Sequence, residues 1–327
     1  MKIRALVALL ATICLFAAAC GSDADSTVTG EATPETTADT VAEDVMEDEV
    51  PSEPSNEEPV ETSTTVEEVA DLRIVSVSPT ATEMLFAIGA GELVVAVDSF
   101  SYFPEEAPVT DLSGFEPNVE AIAGFDPTLV VSSAPIEGLD VVGVENMVLP
   151  AAITIDDVYT QIEQLGAATG HVGEAAELVG QMQTDIAAVI DALPARETPL
   201  SYYHELDNTL YSVTSSTFIG EVYTMLGLVN AADAADPDGE FFGYPQLNEE
   251  FLVTADPDII FLADTVCCEQ TAETVAARPG WDQLQAVQNG NIVELNDDVV
   301  SRWGPRLVEF VEVAGAAVAD VALVAAS

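Results

Sequence analysis

The chain has 327 residues, and its 58 acidic and seven basic side chains give a formal net charge of -51. This charge excludes nucleic acids as partners, because their phosphates require a basic surface. Sixteen of the acids lie in residues 21–70, which leaves 42 acids and five arginines in residues 71–327. Such a surface tolerates screening at high salt, so a saline habitat is one open interpretation of the acidity.

Residues 1–20 have the pattern of a signal peptide. Lys2 and Arg4 precede an apolar run, and small residues precede Cys20. The apolar run is shorter than the about 20 residues that span a bilayer, which disfavours a permanent transmembrane anchor. Cys20 resembles the lipid-modified cysteine of bacterial lipoproteins, although Ala17 occupies the position where leucine is usual. We therefore expect an extracytoplasmic protein, lipid-anchored to the outer face of the cell membrane, with a cleaved but unlipidated signal as the alternative.

Residues 21–70 are predicted to form a disordered acidic tether. They contain 16 acids, no basic residue and no aromatic residue. This composition cannot bury enough surface to offset chain entropy, and its charges repel one another.

Short apolar strands alternate with helical patterns from Arg73 onward, which predicts β-α units with mostly parallel sheets. The predicted N-terminal lobe covers residues 71–165. Its predicted strands lie within 73–79, 93–98 and 128–134, and its predicted helices within 80–89 and 118–124.

The stretch from 155 to 193 is helical almost throughout, with a break around Gly170. A helix of about 20 residues spans about 30 Å, so we predict a connecting helix over 166–194 that joins two lobes. The predicted C-terminal lobe covers 195–327, with strands within 201–206, 258–264 and 291–296 and a last helix from Gly304. The predicted fold is α/β, with two Rossmann-like lobes joined by one long helix.

One sequence unit occurs twice. Asn118-Val-Glu120 followed by Asp126-Pro127 matches Asn248-Glu-Glu250 followed by Asp256-Pro257, with all four residue types at identical offsets. Each copy predicts a helix that ends where proline would break it and then leads into a buried strand. The two lobes are therefore predicted to share one supersecondary unit.

Several segments together resemble the periplasmic binding proteins that serve importers of cobalamin, ferric siderophores and haem. They are RIVSVSPTATEMLFAIGAG, FSYFPEEAP, PNVEAIAGFDPTLVV, ELDNTLYSVTSSTFIGEVYTMLG, RPGWDQLQAVQNGNIVELN and SRWGPRLVEFVE. The resemblance covers Arg73 to the C-terminus and implies a class III fold with a ligand cleft between the lobes. It also implies that one glutamate per lobe docks on the two subunits of an ABC permease, and the matching residues are Glu120 and Glu250. We expect the protein itself to be a monomer.

Ligands of parallel α/β sheets bind beyond the carboxyl ends of the strands, and this selects candidate cleft residues. Thr80 follows the first strand, where helix capping is its alternative role. Aromatic residues follow the second strand, where they either stack on a flat ligand or anchor the loop. In the C-terminal lobe, His204 is also explained by a local hydrogen bond. The candidate ligand-binding residues are Thr80, Phe100, Tyr102, Phe103, His204, Glu205, Arg302 and Trp303; we interpret Arg302 and Trp303 as following a strand and opening the last helix.

The adjacent Cys267 and Cys268 are the only thiols after Cys20. An oxidising compartment favours a disulfide, whereas the short spacing of neighbouring Cα atoms disfavours one. A vicinal disulfide is therefore one of two possibilities.

Among ligands, we favour a cobalamin or related corrinoid over a ferric siderophore or haem, because aromatic residues suit a macrocycle and anionic complexes would need more basic residues. A zinc- or manganese-binding protein would need three or four clustered ligands, and the chain has only two histidines. No catalytic motif is present, so we expect neither enzymatic activity nor a cofactor or metal. An acidic adhesion lipoprotein remains the alternative from another class.

Overall fold

The structure is a computed structural model that describes residues 71–325. The predicted signal peptide with Cys20 and the predicted acidic tether lie outside the described residues. Within residues 71–325, each helix is either too short or too polar to span a bilayer.

Nine strands form two sheets in which every pair is parallel. The five-stranded sheet has the order β3-β2-β1-β4-β5, with β1 (Ile74–Ser76), β2 (Val94–Asp98), β3 (Val109–Leu112), β4 (Leu129–Ser132) and β5 (Glu145–Val148). The four-stranded sheet has the order β7-β6-β8-β9, with β6 (Ser201–Glu205), β7 (Val229–Asn230), β8 (Ile259–Leu262) and β9 (Ile292–Glu294). Apart from edge strand β3, the two sheets have the same strand order.

Ten α-helices surround the sheets in the described part. They are α1 (Pro79–Ala87), α2 (Val119–Ala123), α3 (Ile155–Thr169), α4 (Val172–Ala192), α5 (Phe218–Met225), α6 (Glu249–Ala255), α7 (Ala272–Ala276), α8 (Gln285–Asn289), α9 (Asp297–Ser301) and α10 (Leu307–Ala325). The two-lobed α/β fold with a long connecting helix agrees with the prediction. The predicted boundary between the N-terminal lobe and the connecting helix, at residue 166, falls inside α3. The bounds of the two lobes and of the connecting helix stay a prediction.

Buried side chains on the two faces of each sheet belong to different cores. Along β8, Ile259 and Phe261 join the main core, whereas Ile260 and Leu262 join a separate cluster in the same lobe. This alternation follows from the two-residue period of a strand. The main core runs through both lobes and includes side chains of α3, α4 and α10, so the two lobes share one apolar interior.

The duplicated sequence unit adopts the same conformation twice. The Asn118 and Asn248 side chains cap α2 and α6 by accepting hydrogen bonds from the backbone N–H three residues later. After each helix, Asp126 and Asp256 have positive φ angles of 50° and 44°. Each unit then enters a fully buried strand, β4 or β8, as the repeat predicts.

Helix α9 corrects one expectation. Arg302 and Trp303 do not directly follow a strand, because α9 lies between β9 and these residues. Asn296 caps α9 by accepting hydrogen bonds from two backbone N–H groups, and Arg302 is its C-cap. Acidic side chains in the first turn also favour the helix, because they interact well with its N-terminal dipole.

Candidate functional site

The carboxyl ends of the strands carry the loops that form the candidate site. In each sheet the strand order reverses at one strand, β1 or β6, and open α/β sheets bind ligands beside that point. We define the cleft as the region between the loops at these carboxyl edges of the two sheets.

Every exposed aromatic side chain of residues 71–325 lies in a loop after the carboxyl end of a strand. In the N-terminal lobe, Phe100 and Phe115 are in contact, with ring centroids 5.9 Å apart. The exposed aromatic residues are Phe100, Tyr102, Phe103 and Phe115 in the N-terminal lobe and Tyr211, Phe241, Phe242 and Tyr244 in the C-terminal lobe. Both lobes therefore present aromatic surface at the same edge of their sheets.

The aromatic loop of the C-terminal lobe is held by a buried carboxylate. Asp236 accepts hydrogen bonds from the backbone N–H groups of Phe241 at 3.0 Å and Gly243 at 2.9 Å. Gly243 has a φ of 84°, and a Cβ there would lie 2.7 Å from the Thr217 side chain. Only glycine allows this close approach without strain. Residues 241–244 were not predicted as site residues, although the adjacent phenylalanines and Gly243 are a visible signal.

A buried ion-pair cluster joins the lobes beside the aromatic loop 99–103. The Glu83 carboxylate on α1 accepts a hydrogen bond from Arg302 at 2.8 Å and two from Arg306, at 2.6 and 2.8 Å. Asp298 accepts a further bond from Arg302 at 2.7 Å. We call Glu83, Asp298, Arg302 and Arg306 the interlobe ion-pair cluster.

The aromatic loop of the N-terminal lobe contacts this cluster directly. The Tyr102 hydroxyl donates to Asp298, and the bond raises the pKa of Tyr102. The guanidinium of Arg302 lies 5.2 Å from the Tyr102 ring centroid, and that of Arg306 lies 4.1 Å from the Phe103 ring centroid. The structure therefore brings the predicted residues Tyr102, Phe103 and Arg302 together, whereas Glu83 and Asp298 were missed.

A cavity of about 730 Å³ opens beside this cluster, along α1. Phe86, Phe103 and Pro104 line it, together with Glu83 and Arg306. Neither Phe100 nor the aromatic residues of the C-terminal lobe contribute to its lining, so it lies to one side of the two aromatic loops. We regard the aromatic edge, rather than this cavity, as the candidate site.

Two of the predicted ligand-binding residues, His204 and Thr80, are buried. His204 is completely buried, its Nδ1 lies 2.8 Å from the Tyr223 hydroxyl, and burial lowers the pKa of His204 to about 3. Thr80 is buried beside Gly304. Trp303 is half-buried against the main core and remains a prediction. The His204 ring is fully buried, so it exposes no surface to a ligand in this conformation. Thr80 exposes almost no surface.

Glu205 is also buried, within a second charged cluster. Its carboxylate accepts two hydrogen bonds from Arg278, both at 2.6 Å, and one from the Tyr203 hydroxyl at 3.2 Å. Asp264, two residues after the end of β8, is completely buried, and its side-chain carboxyl oxygens have no hydrogen-bond partner. Burial, together with the neighbouring Glu205 charge, raises the pKa of Asp264 to about 7. The Glu205 carboxylate is therefore paired inside the protein, and its contact with a ligand stays a prediction.

All five arginines of residues 71–325 donate to groups of the protein itself. Arg73 and Arg196 donate to backbone carbonyls, and the other three donate to Glu205 or Glu83. The same part of the chain contains no cluster of three or more residues able to hold a metal ion. Arg278, Arg302 and Arg306 are therefore already paired with carboxylates. Arg73 and Arg196 come before β1 and β6, at the edge of each sheet opposite the cleft.

Glu120 and Glu250 are exposed at the second position of α2 and α6. Each helix runs back along the sheet before the next parallel strand, so its N-terminus lies at the carboxyl edge. The two carboxylates therefore occupy corresponding positions on the cleft side of the two lobes.

Two similar lobes, each with a parallel sheet and both sharing one core, define a class of two-lobed solute-binding proteins. Residues 74–299 match the model of the periplasmic binding protein family. The chain belongs to this family, which confirms the resemblance drawn from the sequence.

Individual proteins are similar over the same region. The chain is 30% identical over 253 residues to YvrC of Bacillus subtilis, an uncharacterized ABC transporter substrate-binding lipoprotein, covering 73% of this chain and 77% of that protein. It is 32% identical over 251 residues to a cobalamin-binding protein of Halobacterium salinarum, covering 72% and 66%. The crystal structure of the vitamin B12-binding protein BtuF of Vibrio cholerae matches with a TM-score of 0.61 at 24% identity, covering 76% and 97%, and supports the fold.

Proposed function

We propose that this chain is the extracytoplasmic solute-binding component of an ABC importer that captures a cobalamin or related corrinoid. The observation that carries the ligand class is the exposed aromatic surface at the cleft edge of both lobes, combined with the pairing of Arg278, Arg302 and Arg306 with carboxylates of the protein itself. Aromatic faces bury large apolar area at low entropic cost, as a macrocycle requires. The cobalamin-binding relative from Halobacterium salinarum supports the same choice.

A ferric siderophore or haem is the alternative ligand within the same class. The propionates of haem and the anionic catecholate siderophore complexes would have to displace Glu83 or Asp298 from Arg302. Such an exchange leaves a buried carboxylate without its partner and is costly. We therefore favour the corrinoid.

Titrating the purified chain by calorimetry with cyanocobalamin, haem and a ferric siderophore tests this choice. We expect binding of cyanocobalamin at micromolar or lower concentration. F100A should weaken it about tenfold, because an aromatic contact contributes about 1.4 kcal/mol. V172S, which alters an equally exposed apolar side chain at the start of α4, serves as the control. Absence of cyanocobalamin binding would reject the corrinoid, and binding of haem or siderophore instead would establish the alternative.

We propose Glu120 and Glu250 as the groups that dock on the two permease subunits. Their support is the repeated, exposed position on both lobes, since a two-subunit partner needs two similarly placed charges. E120R/E250R should abolish ligand uptake in cells while the dissociation constant for the ligand stays unchanged. The control pair E163R/E177R makes the same charge change on exposed positions of α3 and α4. Normal uptake by E120R/E250R would contradict the docking role of the two glutamates. Uptake that does not change when the whole protein is removed would instead favour an adhesion protein.

We further propose that Cys20 is acylated and anchors the protein to the outer face of the membrane. The lipoprotein relative in Bacillus subtilis supports this. The mass of the N-terminal peptide of the mature protein checks it.

A further inference from the structure

Cys267 and Cys268 form a vicinal disulfide in the loop that follows β8. We call residues 265–270 the disulfide loop. Its first half is held by Asp297, whose carboxylate accepts hydrogen bonds from the backbone N–H groups of Thr265 at 2.8 Å, Val266 at 3.1 Å and Cys267 at 2.6 Å. One carboxylate thus fixes three consecutive peptide groups.

The second half of the disulfide loop is held by hydrogen bonds of Gln270. The Gln270 backbone N–H donates to the Asp264 carbonyl at 3.2 Å, and its side-chain amide donates to the Cys268 carbonyl at 3.3 Å. Arg278, already paired with Glu205, donates to the Gln270 side-chain oxygen at 2.9 Å. Both ends of the loop are therefore attached to buried groups of the C-terminal lobe.

Between these attachments the loop exposes an apolar patch, made of Val266 and the disulfide, next to the exposed Glu269. Val266 is 59% exposed, and both cysteines are exposed. A disulfide carries no charge and donates no hydrogen bond, so this surface differs from the acidic surface elsewhere on the protein.

The position of the loop connects it to the cleft. Asp297, which holds the loop, is the first residue of α9, and the next residue, Asp298, accepts the hydrogen bond from Tyr102 of the other lobe. Arg302 at the end of α9 donates to the Phe100 carbonyl at 3.2 Å. The residue that holds the disulfide loop, Asp297, is thus adjacent in the chain to Asp298, which the aromatic loop of the N-terminal lobe contacts.

We propose that Val266 and the Cys267–Cys268 disulfide form a rigid apolar wall of the cleft that contacts the macrocyclic ligand, and that high affinity requires the oxidised bond. The inference rests on the proposed function. A wall that is already ordered binds without a further loss of conformational entropy, whereas a loop with two free thiols must be ordered by the ligand. Opening the bond therefore weakens binding even though Asp297 remains in place.

The test compares the oxidised chain, the chain reduced with a trialkylphosphine and then freed of it under argon, and the variant C267S/C268S. Reduction breaks only the S–S bond: the phosphine becomes a phosphine oxide with oxygen from water, and the two protons of that water yield two thiols. Calorimetry with cyanocobalamin gives the dissociation constants. V266S probes the wall with the disulfide intact, and V172S controls for loss of exposed apolar surface elsewhere.

We expect about tenfold weaker binding by both the reduced chain and C267S/C268S, a smaller loss with V266S and no change with V172S. Circular dichroism and unchanged unfolding midpoints would verify that the altered chains are folded, and the reduced chain provides a second route if C267S/C268S does not fold. Affinities within twofold of the oxidised chain would overturn the inference and leave the proposed function intact. If the oxidised chain binds none of cyanocobalamin, haem and siderophore, the proposed function fails, and the inference fails with it. This outcome is read from the oxidised chain alone, so it is distinguished from a failure of the inference, in which the oxidised chain still binds.

Discussion

Replacing Glu83 by Gln is expected to lower the free energy of unfolding by about 3–5 kcal/mol, the usual cost of removing one partner from a buried ion pair. The Glu83 side chain is 2% exposed, and it neutralises Arg302 and Arg306, which are 10% and 15% exposed. Its hydrogen bonds also raise the pKa of Arg306. Gln preserves the shape of Glu83, so the loss measured by urea denaturation reports the charge rather than a cavity.

A matched control for E83Q is E92Q, which neutralises an exposed glutamate in the 3-10 helix 90–93 that follows α1. We expect E92Q to change the free energy of unfolding by less than about 0.5 kcal/mol. Combining E83Q with R306Q should cost less than the sum of the single changes, because both act on one cluster. A loss below about 1 kcal/mol with E83Q would mean that the cluster does not stabilise the contact between the lobes.

The second prediction concerns Asp264. Burial and the charge of Glu205 raise the pKa of Asp264 from 3.8 to about 7, against the opposing effect of Arg278, and Asp297 adds to the increase. The folded state therefore holds a proton that the unfolded state has released. The contribution of Asp264 to stability is complete below about pH 4 and falls as the pH rises to about 7, by at most about 1.4 kcal/mol per pH unit.

D264N removes this titration, so it should gain stability relative to the wild type as the pH rises from 4 to 7 and keep that gain above pH 7. The measurement is the difference in free energy of unfolding between D264N and the wild type across this range. His204 acts with the opposite sign: burial lowers its pKa from 6.5 to about 3, so its effect costs stability as the pH falls below 6.5. That effect is present in both proteins and cancels in the difference.

D320N, at an exposed position of α10, is the control for D264N. It should follow the wild type at every pH. A difference between D264N and the wild type that does not vary with pH would contradict a protonated Asp264 in the folded protein.

Much of the architecture follows from local patterns in the sequence. The alternation of short apolar strands and helices predicts parallel sheets, and the break at Gly170 appears where α3 ends, with Gly170 as its left-handed C-cap. The short edge strands β3 and β5 were not predicted. Three of the four residues in β3 and all four in β5 are not fully buried, so these strands lack the apolar signal of a central strand.

The contacts of the cleft residues within the protein were not predicted, for a reason visible at Arg302. Its position after β9 indicates the cleft edge, but its partner Glu83 lies 219 residues earlier in the chain. No local pattern links such residues. Likewise, the turn residues of loop 236–243 were not interpreted as a support for exposed aromatic residues, because the hydrogen bonds of Asp236 depend on the folded loop.

By itself, the sequence determined the two-lobed α/β architecture and the duplicated helix–strand unit, because periodicity, capping and turn preferences act over a few residues. The family followed from the resemblance of several segments to the periplasmic binding proteins, which the family match confirms. Only the tertiary structure decided which charged residues are available to a ligand. It paired Glu83 and Glu205 with arginines, buried His204 and left aromatic residues exposed on both lobes. The physical reason is that desolvation and ion pairing depend on contacts between distant segments, which form only when the two lobes pack on their shared core.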